Sequence, residues 1–139
     1  MTRIVPDTNI VVSGLLWRGN PRRILDAARD GIIELYTSPV LIEELEDVLS
    51  REKFARRLAA ANVTVQDLIS GYSALATVIE AEPIEPVILV DPDDDAVLAC
   101  ALSADAEVIV SGDSDLLDLK EHKEIRILTA TEFLAELSL

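Results

Sequence analysis

The chain has 139 residues, 50% of them hydrophobic, and it carries 12 Lys and Arg against 26 Asp and Glu, for a formal net charge of −14. That apolar content excludes a disordered chain and predicts one compact domain over residues 1–139, because chains of this length bury roughly 70% of their unfolded surface. The longest apolar stretches, at residues 10–17 and 96–102, are too short to cross a bilayer, which takes about 20 residues. Cys100 is the one cysteine, which excludes an internal disulfide or a Cys-rich zinc site. Since the amino terminus shows no secretory pattern, we expect a cytoplasmic protein with no membrane partner.

The negative charge is concentrated in the second half of the chain. Residues 1–79 hold nine basic and ten acidic residues, a net charge of −1, whereas residues 80–139 hold three and sixteen, a net charge of −13. The overall sign argues against a nucleic-acid partner, because such proteins usually present basic surface to phosphates. The nearly neutral first half, which contains most of the arginines, leaves that partner open.

In the first half, short apolar segments alternate with helical patterns. The predicted elements are a buried strand over residues 3–5, a helix over 10–16, a helix from 20 to 30, a strand over 32–37, a helix from 39 to about 50, a basic helical stretch over 51–61, a helix from 65 and a short strand over 78–80. Asn20 and Ser38 each precede a proline, which predicts an N-cap followed by proline at the first helical position. Thr64, with Asp67 three residues later, predicts a capping box.

The second half continues the alternation. Its predicted elements are a proline-containing loop at residues 82–86, an acidic cluster at 91–95 that runs into an apolar helix over 96–104, a strand over 108–110, a short helix over 116–119, a strand over 125–128 and a final helix capped by Thr129 with Glu132. The uninterrupted β-branched run at 108–110 is typical of a strand covered on both faces. Alternating strands and helices predict an α/β fold, a three-layer α/β/α sandwich with a mostly parallel sheet.

Several acidic residues are predicted to meet at one edge of that sheet. Asp7 and Asp113 each follow a predicted strand, and such folds bind ligands at the carboxyl ends of their strands, near the switch point of strand order. Helical periodicity places Glu44 on the margin of an apolar stripe and Asp94, rather than Asp95, on a core-facing stripe. The alternative is that Asp7 and Asp113 are turn residues and that Glu44 is a solvated helix residue.

A metal ion is the expected partner of the buried acids. A carboxylate that faces a core is costly unless it is paired or binds a cation, and basic residues are nearly absent from the second half. Oxygen ligands favour a hard divalent ion, so we expect Mg²⁺ or Mn²⁺ near Asp94 and Asp113.

These acids stand in four segments whose order and spacing resemble the signature of the PIN-domain nucleases. The segments are Asp7-Thr8-Asn9, Glu44 in the helix after Ser38-Pro39, Asp94 within Asp91-Pro92-Asp93-Asp94-Asp95, and Ser111-Gly112-Asp113-Ser114-Asp115. The resemblance runs over nearly the whole chain and is closest to the small VapC-like toxins of bacterial and archaeal toxin–antitoxin pairs. The chain departs from the family at Ser111, where the family usually has Thr, and the hydroxyl is kept.

The resemblance implies a metal-dependent endoribonuclease with Mg²⁺ or Mn²⁺ as cofactor. It implies that the catalytic acids are Asp7, Glu44, Asp94 and Asp113, that the metal ligands are Asp7, Asp94, Asp113 and Asp115, and that the supporting hydrogen-bonding residues are Asn9 and Ser111. The expected reaction is hydrolysis of an RNA phosphodiester by a metal-activated water that attacks in line. The resemblance also implies a cognate antitoxin and a homodimer.

The basic residues of the first half are candidates for RNA contacts. We predict that Arg18, Arg22 and Arg23, which follow the first helix, contact phosphates. The alternative is that they are ordinary solvated residues. The acidic surplus of residues 80–139 predicts a basic partner, such as an antitoxin tail.

Three other functions fit a small α/β domain. A receiver domain needs a Lys after a late strand, where this chain has Thr129. A phosphatase of the haloacid dehalogenase type needs a second Asp two residues after the first, where Asn9 stands. A non-catalytic binding or signalling domain that keeps the fold stays open, although four intact acids argue against it.

Overall fold

The structure, a computed structural model, describes residues 1–85 and 92–137, and it leaves out the side chains of Pro92 and Asp93. Pro86 of the predicted loop and Asp91 of the acidic cluster lie outside the described residues. The elements are β1 (Thr2–Pro6), α1 (Thr8–Leu16), α2 (Asn20–Arg29), β2 (Ile33–Thr37), α3 (Pro39–Leu49), a 3-10 turn (Glu52–Phe54), α4 (Ala55–Ala61), α5 (Val65–Leu75), β3 (Thr77–Val78), α6 (Pro92–Ser103), β4 (Val108–Val110), α7 (Ser114–Leu119), β5 (Glu121–His122), β6 (Ile125–Leu128) and α8 (Ala130–Leu137). None of the described helices is long and apolar enough to cross a membrane.

The six described strands form one sheet in the order β3-β2-β1-β4-β6-β5. Neighbouring strands are parallel except for β5 and β6, which confirms the mostly parallel sheet. The central pair is β1 and β4, in which Pro6 lies opposite Val110, and the Asp7 N–H donates to the Val110 carbonyl at 2.9 Å. The carboxyl ends of these two strands are therefore adjacent, at the place where such sheets bind ligands.

Alternate residues of the central strands face two apolar cores. Ile4 and Val110 pack on one face against side chains of α1, α2, α3, α5 and α8. Val5 and Ile109 pack on the other face, mainly against α6 and α7. Because helices cover both faces, the predicted three-layer sandwich is confirmed.

Several helix starts follow the predicted capping signals, and the start of α2 does not. Ser38 caps α3, and Thr64 caps α5 in a capping box, as predicted. The predicted N-cap at Asn20 is wrong, because Gly19 takes that position with a φ of 142°, a region open to glycine. Asn20 is instead the first helical residue, and its side-chain amide donates to Thr131 Oγ1 of α8 at 2.9 Å.

Two elements of the second half differ from the prediction. Helix α6 begins at Pro92 rather than at residue 96, so Asp94 lies within its first turn. Strand β5 was not predicted, because the two-residue turn that joins it to β6 is Lys123-Glu124 rather than a glycine-containing pair. Both turn residues have positive φ, of 48° and 71°, which a tight type I′ hairpin requires.

Candidate active site

The four predicted catalytic acids line one small cavity at the carboxyl edge of the sheet. The cavity has a volume of about 50 Å³ and is lined by Asp7, Thr8, Asn9, Glu44, Asp94, Val97 and Asp113. Asp7 directly follows β1, and Asp113 lies three residues after the end of β4. Glu44 lies in the second turn of α3 and Asp94 in the first turn of α6. Four elements thus bring together acids that are far apart in the sequence. The catalytic role of these acids stays a prediction.

Asp7 is held in place by three hydrogen bonds. It is only 5% exposed, and it caps α1 by accepting the Ile10 N–H on Oδ1 at 2.9 Å. Its Oδ2 accepts the hydroxyl of Ser111 and the N–H of Gly112, the latter at 3.4 Å. The buried Ser111 also accepts the Asp113 N–H on Oγ at 2.9 Å, so one hydroxyl links the loops that follow β1 and β4.

Burial raises the pKa of the Asp7 carboxyl above its usual value of 3.8. The nearby Asp113 carboxylate adds a smaller effect in the same direction, whereas the hydrogen bonds from Ser111, Ile10 and Gly112 lower the pKa. These donors replace the hydrogen bonds from water that the carboxylate loses when it is buried. The supporting role predicted for Ser111 therefore has a direct structural basis.

Three acids bring carboxylate oxygens close enough to share a cation. Asp94, Asp113 and Asp115 each offer one oxygen, and these oxygens lie within 4.8 Å of one another. Asp94 is buried, Asp113 is half-buried and Asp115 is exposed. The Asp115 N–H donates to Asp113 Oδ1 at 2.7 Å, which fixes the two residues at the start of α7.

This donor set fits a hard divalent ion. Mg²⁺ binds oxygens at about 2.0–2.1 Å, so two ligands of one ion lie at most about 4.2 Å apart. The three oxygens therefore need to approach one another by at most about 0.6 Å to reach that range. Asp7 is outside this group of three, although it lines the same cavity, and its role as a metal ligand stays a prediction.

The acids that helical periodicity predicted to face inward are the ones that line the cavity. Asp94 lines it and Asp95 does not, and Glu44 lines it while Glu43 is exposed on the outer face of α3. Asn9 is exposed at the rim. Thr8 is a buried lining residue to which the sequence assigned no role, although it stands in the Asp-Thr-Asn segment.

The three arginines predicted to bind RNA have different surroundings. Arg18 and Arg23 are exposed. Arg22 is half-buried, and its guanidinium donates to the carbonyls of Gly14 and Leu15, both at 3.0 Å. Because these carbonyls end α1, Arg22 has a structural task of its own.

A larger cavity, of about 620 Å³, lies at the opposite edge of the sheet. Its lining includes Arg3 of β1, Glu107 before β4 and Arg126 of β6, and none of the predicted site residues. Volume alone therefore does not mark the site, because parallel sheets bind ligands at the other edge.

Comparisons with known proteins agree with this geometry. The sequence model of the PIN domain matches residues 3–115, a span that contains every acid of the cavity. No curated protein matches the sequence. Among solved structures, the chain is similar to one in the crystal structure of VapBC2 from Rickettsia felis bound to a DNA fragment from their promoter, with a TM-score of 0.61 and 13% identity over 91% of this chain and 97% of that chain. At that identity the likeness shows a shared fold.

Proposed function

The chain belongs to the PIN domain family, and we propose that it is a divalent-metal-dependent endoribonuclease that hydrolyses RNA phosphodiester bonds, as a single domain over residues 1–139. The observation that carries the proposal is the convergence of Asp7, Glu44, Asp94 and Asp113 on one cavity, together with three carboxylate oxygens within 4.8 Å. A cavity of about 50 Å³ accommodates an ion with one or two waters, but it is too small for a nucleotide. The substrate phosphate must therefore reach the cavity from outside, as the backbone of a polymer does.

The side chains divide the work of the site. Asp94, Asp113 and Asp115 are the proposed ligands of Mg²⁺ or Mn²⁺, with Asp7 completing the set on the side of β1. When bound, such an ion lowers the pKa of a water molecule and neutralises charge on the phosphate. Glu44 lines both the cavity and a neighbouring groove, and the role we assign to it is to accept a hydrogen bond from water at the cavity. Asn9, at the exposed rim, is placed to donate to a phosphate oxygen.

We assign the chain to the toxin side of a toxin–antitoxin pair. The fold it shares with a chain of the VapBC2 structure supports this assignment. A cognate antitoxin, a homodimeric state and a cytoplasmic location belong to the same proposal. Arg18, Arg22 and Arg23 are its proposed RNA contacts.

The decisive experiment is RNA cleavage by purified protein in Mg²⁺, in Mn²⁺ and in chelator, with single-stranded and structured RNAs. We expect metal-dependent cleavage by the wild type and by Asp95→Asn, and none by Asp94→Asn, whose fold is checked by circular dichroism. Asp95 is the matched control, because it is the next residue of the same helix and does not line the cavity. Full activity in Asp94→Asn, or undiminished cleavage in chelator, would contradict the proposal.

The toxin role needs a separate test. Expression of the wild type in a bacterial host is expected to arrest growth, whereas Asp94→Asn is not. A short neighbouring reading frame that encodes a DNA-binding protein should restore growth when it is co-expressed. A nuclease that leaves growth unaffected would be a housekeeping enzyme rather than a toxin.

A further inference from the structure

Two basic segments of the chain meet where α1 ends. Residues 17–23 contain three arginines and no acid, and residues 51–58 contain four basic residues and one acid, so together they carry a net charge of +6 in a chain of −14. The rings of Trp17 and Phe54 make an edge contact with centroids 5.9 Å apart, and Arg57 Nε donates to the Leu16 carbonyl at 2.8 Å. These contacts join the segments into one surface, here called the basic aromatic patch: Trp17, Arg18, Lys53, Phe54 and Arg57.

Trp17 is the centre of this patch. It is 42% exposed, and the Arg57 guanidinium lies 5.9 Å from the centroid of its ring. The Lys53 ammonium lies 5.0 Å from the centroid of Phe54. An exposed indole among cations combines a stacking surface for a base with contacts for phosphates, which is how single-stranded nucleic acids are bound.

We propose that the basic aromatic patch binds single-stranded RNA a few nucleotides away from the phosphate at the acidic cavity, with one base stacked on Trp17. The inference rests on the proposed function and adds the strand state of the substrate and the face that it crosses. A stacked duplex does not offer a free base to an aromatic side chain, so the patch favours single strands.

The geometry connects the patch to the cavity. Asn9 lines the cavity, and Trp17 follows it by eight residues, which corresponds to about 12 Å along a helix. Asp7 caps the start of α1 and Trp17 directly follows its end, so the helix spans the distance between the cavity and the patch. The groove on the α3 side is lined instead by Glu43, Glu44 and Asp47, which repel phosphates. Electrostatics therefore favour a path along α1.

Trp17 is itself the probe for the first test, because the chain has one tryptophan. Its fluorescence is followed in chelator, so that no RNA is cleaved, during titration with a single-stranded oligoribonucleotide. We expect saturable quenching that weakens with added salt, and at least tenfold weaker binding of a fully paired RNA. Absence of quenching at concentrations where the RNA is bound would overturn the stacking.

Variants separate stacking from charge, with affinity measured by anisotropy of labelled RNA. Trp17→Leu should weaken binding roughly 5- to 100-fold, and Trp17→Phe should restore most of it, since stacking on an aromatic ring is lost only in the first. Lys53→Glu should weaken binding and lower the salt slope by about 0.7, the value for one phosphate contact on a single strand. Lys123→Glu, the same change in the β5–β6 turn, is the matched control and should bind like the wild type. Circular dichroism checks that each variant is folded.

The outcomes distinguish this inference from its rivals. Equal affinities of Trp17→Leu, Lys53→Glu and Lys123→Glu would refute an RNA site here. A second outcome is that poly-glutamate quenches Trp17 fluorescence and displaces RNA when its carboxylates are as concentrated as the RNA phosphates. That result would assign the patch to an acidic protein partner instead. Since binding is measured in chelator, the patch can be confirmed even if no metal supports cleavage, and cleavage can be confirmed even if patch variants bind normally.

Discussion

Replacing Ser111 by Ala tests the hydrogen-bond arrangement that holds the acids together. The Ser111 hydroxyl donates to the buried Asp7 carboxylate and accepts the Asp113 N–H, so the variant loses both contacts. A hydrogen bond to a charged group contributes about 1.5–3 kcal/mol and a neutral one about 1 kcal/mol. We expect a loss of about 2–4 kcal/mol in the free energy of unfolding at pH 7. For a chain of this size, that corresponds to a fall in Tm of roughly 7–14 °C.

The pH dependence of the Ser111→Ala effect shows whether most of the lost unfolding free energy comes from the hydrogen bond to Asp7. Because burial raises the Asp7 pKa above 3.8, protonated Asp7 is favoured in the folded state, and its contribution to stability is present below pH 3.8 and is lost as the pH rises through the raised pKa. The Ser111 bond opposes this shift, so its removal raises the pKa further and extends the loss to higher pH. The difference between wild type and Ser111→Ala is therefore expected to grow from pH 4 to pH 8.

Urea unfolding in chelator at several pH values, followed by circular dichroism, measures this difference. Ser111→Thr keeps the hydroxyl and should keep the pH profile of the wild type, while the methyl group that it adds at a fully buried position costs about 1–3 kcal/mol at every pH. In an Asp7→Asn background the pH-dependent part of the Ser111→Ala effect should vanish. A difference that is the same at pH 4 and pH 8 would refute the reasoning.

Further substitutions probe the packing and the metal site. Gly14→Ala should lower the free energy of unfolding by about 1–3 kcal/mol, because an added Cβ would lie 2.8 Å from a buried leucine carbon and 3.0 Å from a backbone carbonyl oxygen. Gly71→Ala should raise it by about 0.5–1 kcal/mol, because nothing lies within 4 Å of the added Cβ. Urea unfolding decides the sign of each change. Tyr72→Phe should stabilise by about 1 kcal/mol in the same assay, because the buried hydroxyl finds no hydrogen-bond partner among the described residues, and a loss of stability would show that it has one. At a metal concentration of 100 times Kd, Mg²⁺ or Mn²⁺ should raise the free energy of unfolding of the wild type and of the control Asp118→Asn by about 2.7 kcal/mol. The metal should not stabilise Asp113→Asn. Equal stabilisation of all three proteins would exclude this site.

Local and periodic signals account for what the sequence predicted correctly. Asp94 lies at helical spacing from the apolar residues of its helix, and Asp95 does not. This periodicity distinguishes the two residues without any tertiary information. The same reasoning separates Glu44 from Glu43. The strand at 108–110 is recognisable because burial on both faces requires an uninterrupted apolar run.

What the sequence did not reveal depends on contacts between distant segments. Arg22 looks like a solvated cation in the sequence, and only the approach of α2 to α1 shows that its guanidinium binds the last carbonyls of α1. Asn20 satisfies the local rule for an N-cap, yet Gly19 takes the cap position and the Asn20 side chain contacts Thr131 of α8. The β5–β6 hairpin was missed because Lys123 and Glu124 adopt positive φ, which their side chains do not signal.

The net charge of −14 is a poor guide to the partner because opposite charges are separated in space. Residues 17–23 and 51–58 carry +6, while Asp7 of the cavity caps the opposite end of α1, a nine-residue helix that is about 13 Å long. At physiological ionic strength the Debye length is about 8 Å, so a phosphate near the basic aromatic patch responds to that patch more than to the total charge. At the cavity itself a divalent ion would offset part of the carboxylate charge and change the local field that a phosphate meets. An acidic protein can thus bind a polyanion, provided that its fold brings dispersed cations to one surface and its acids to another.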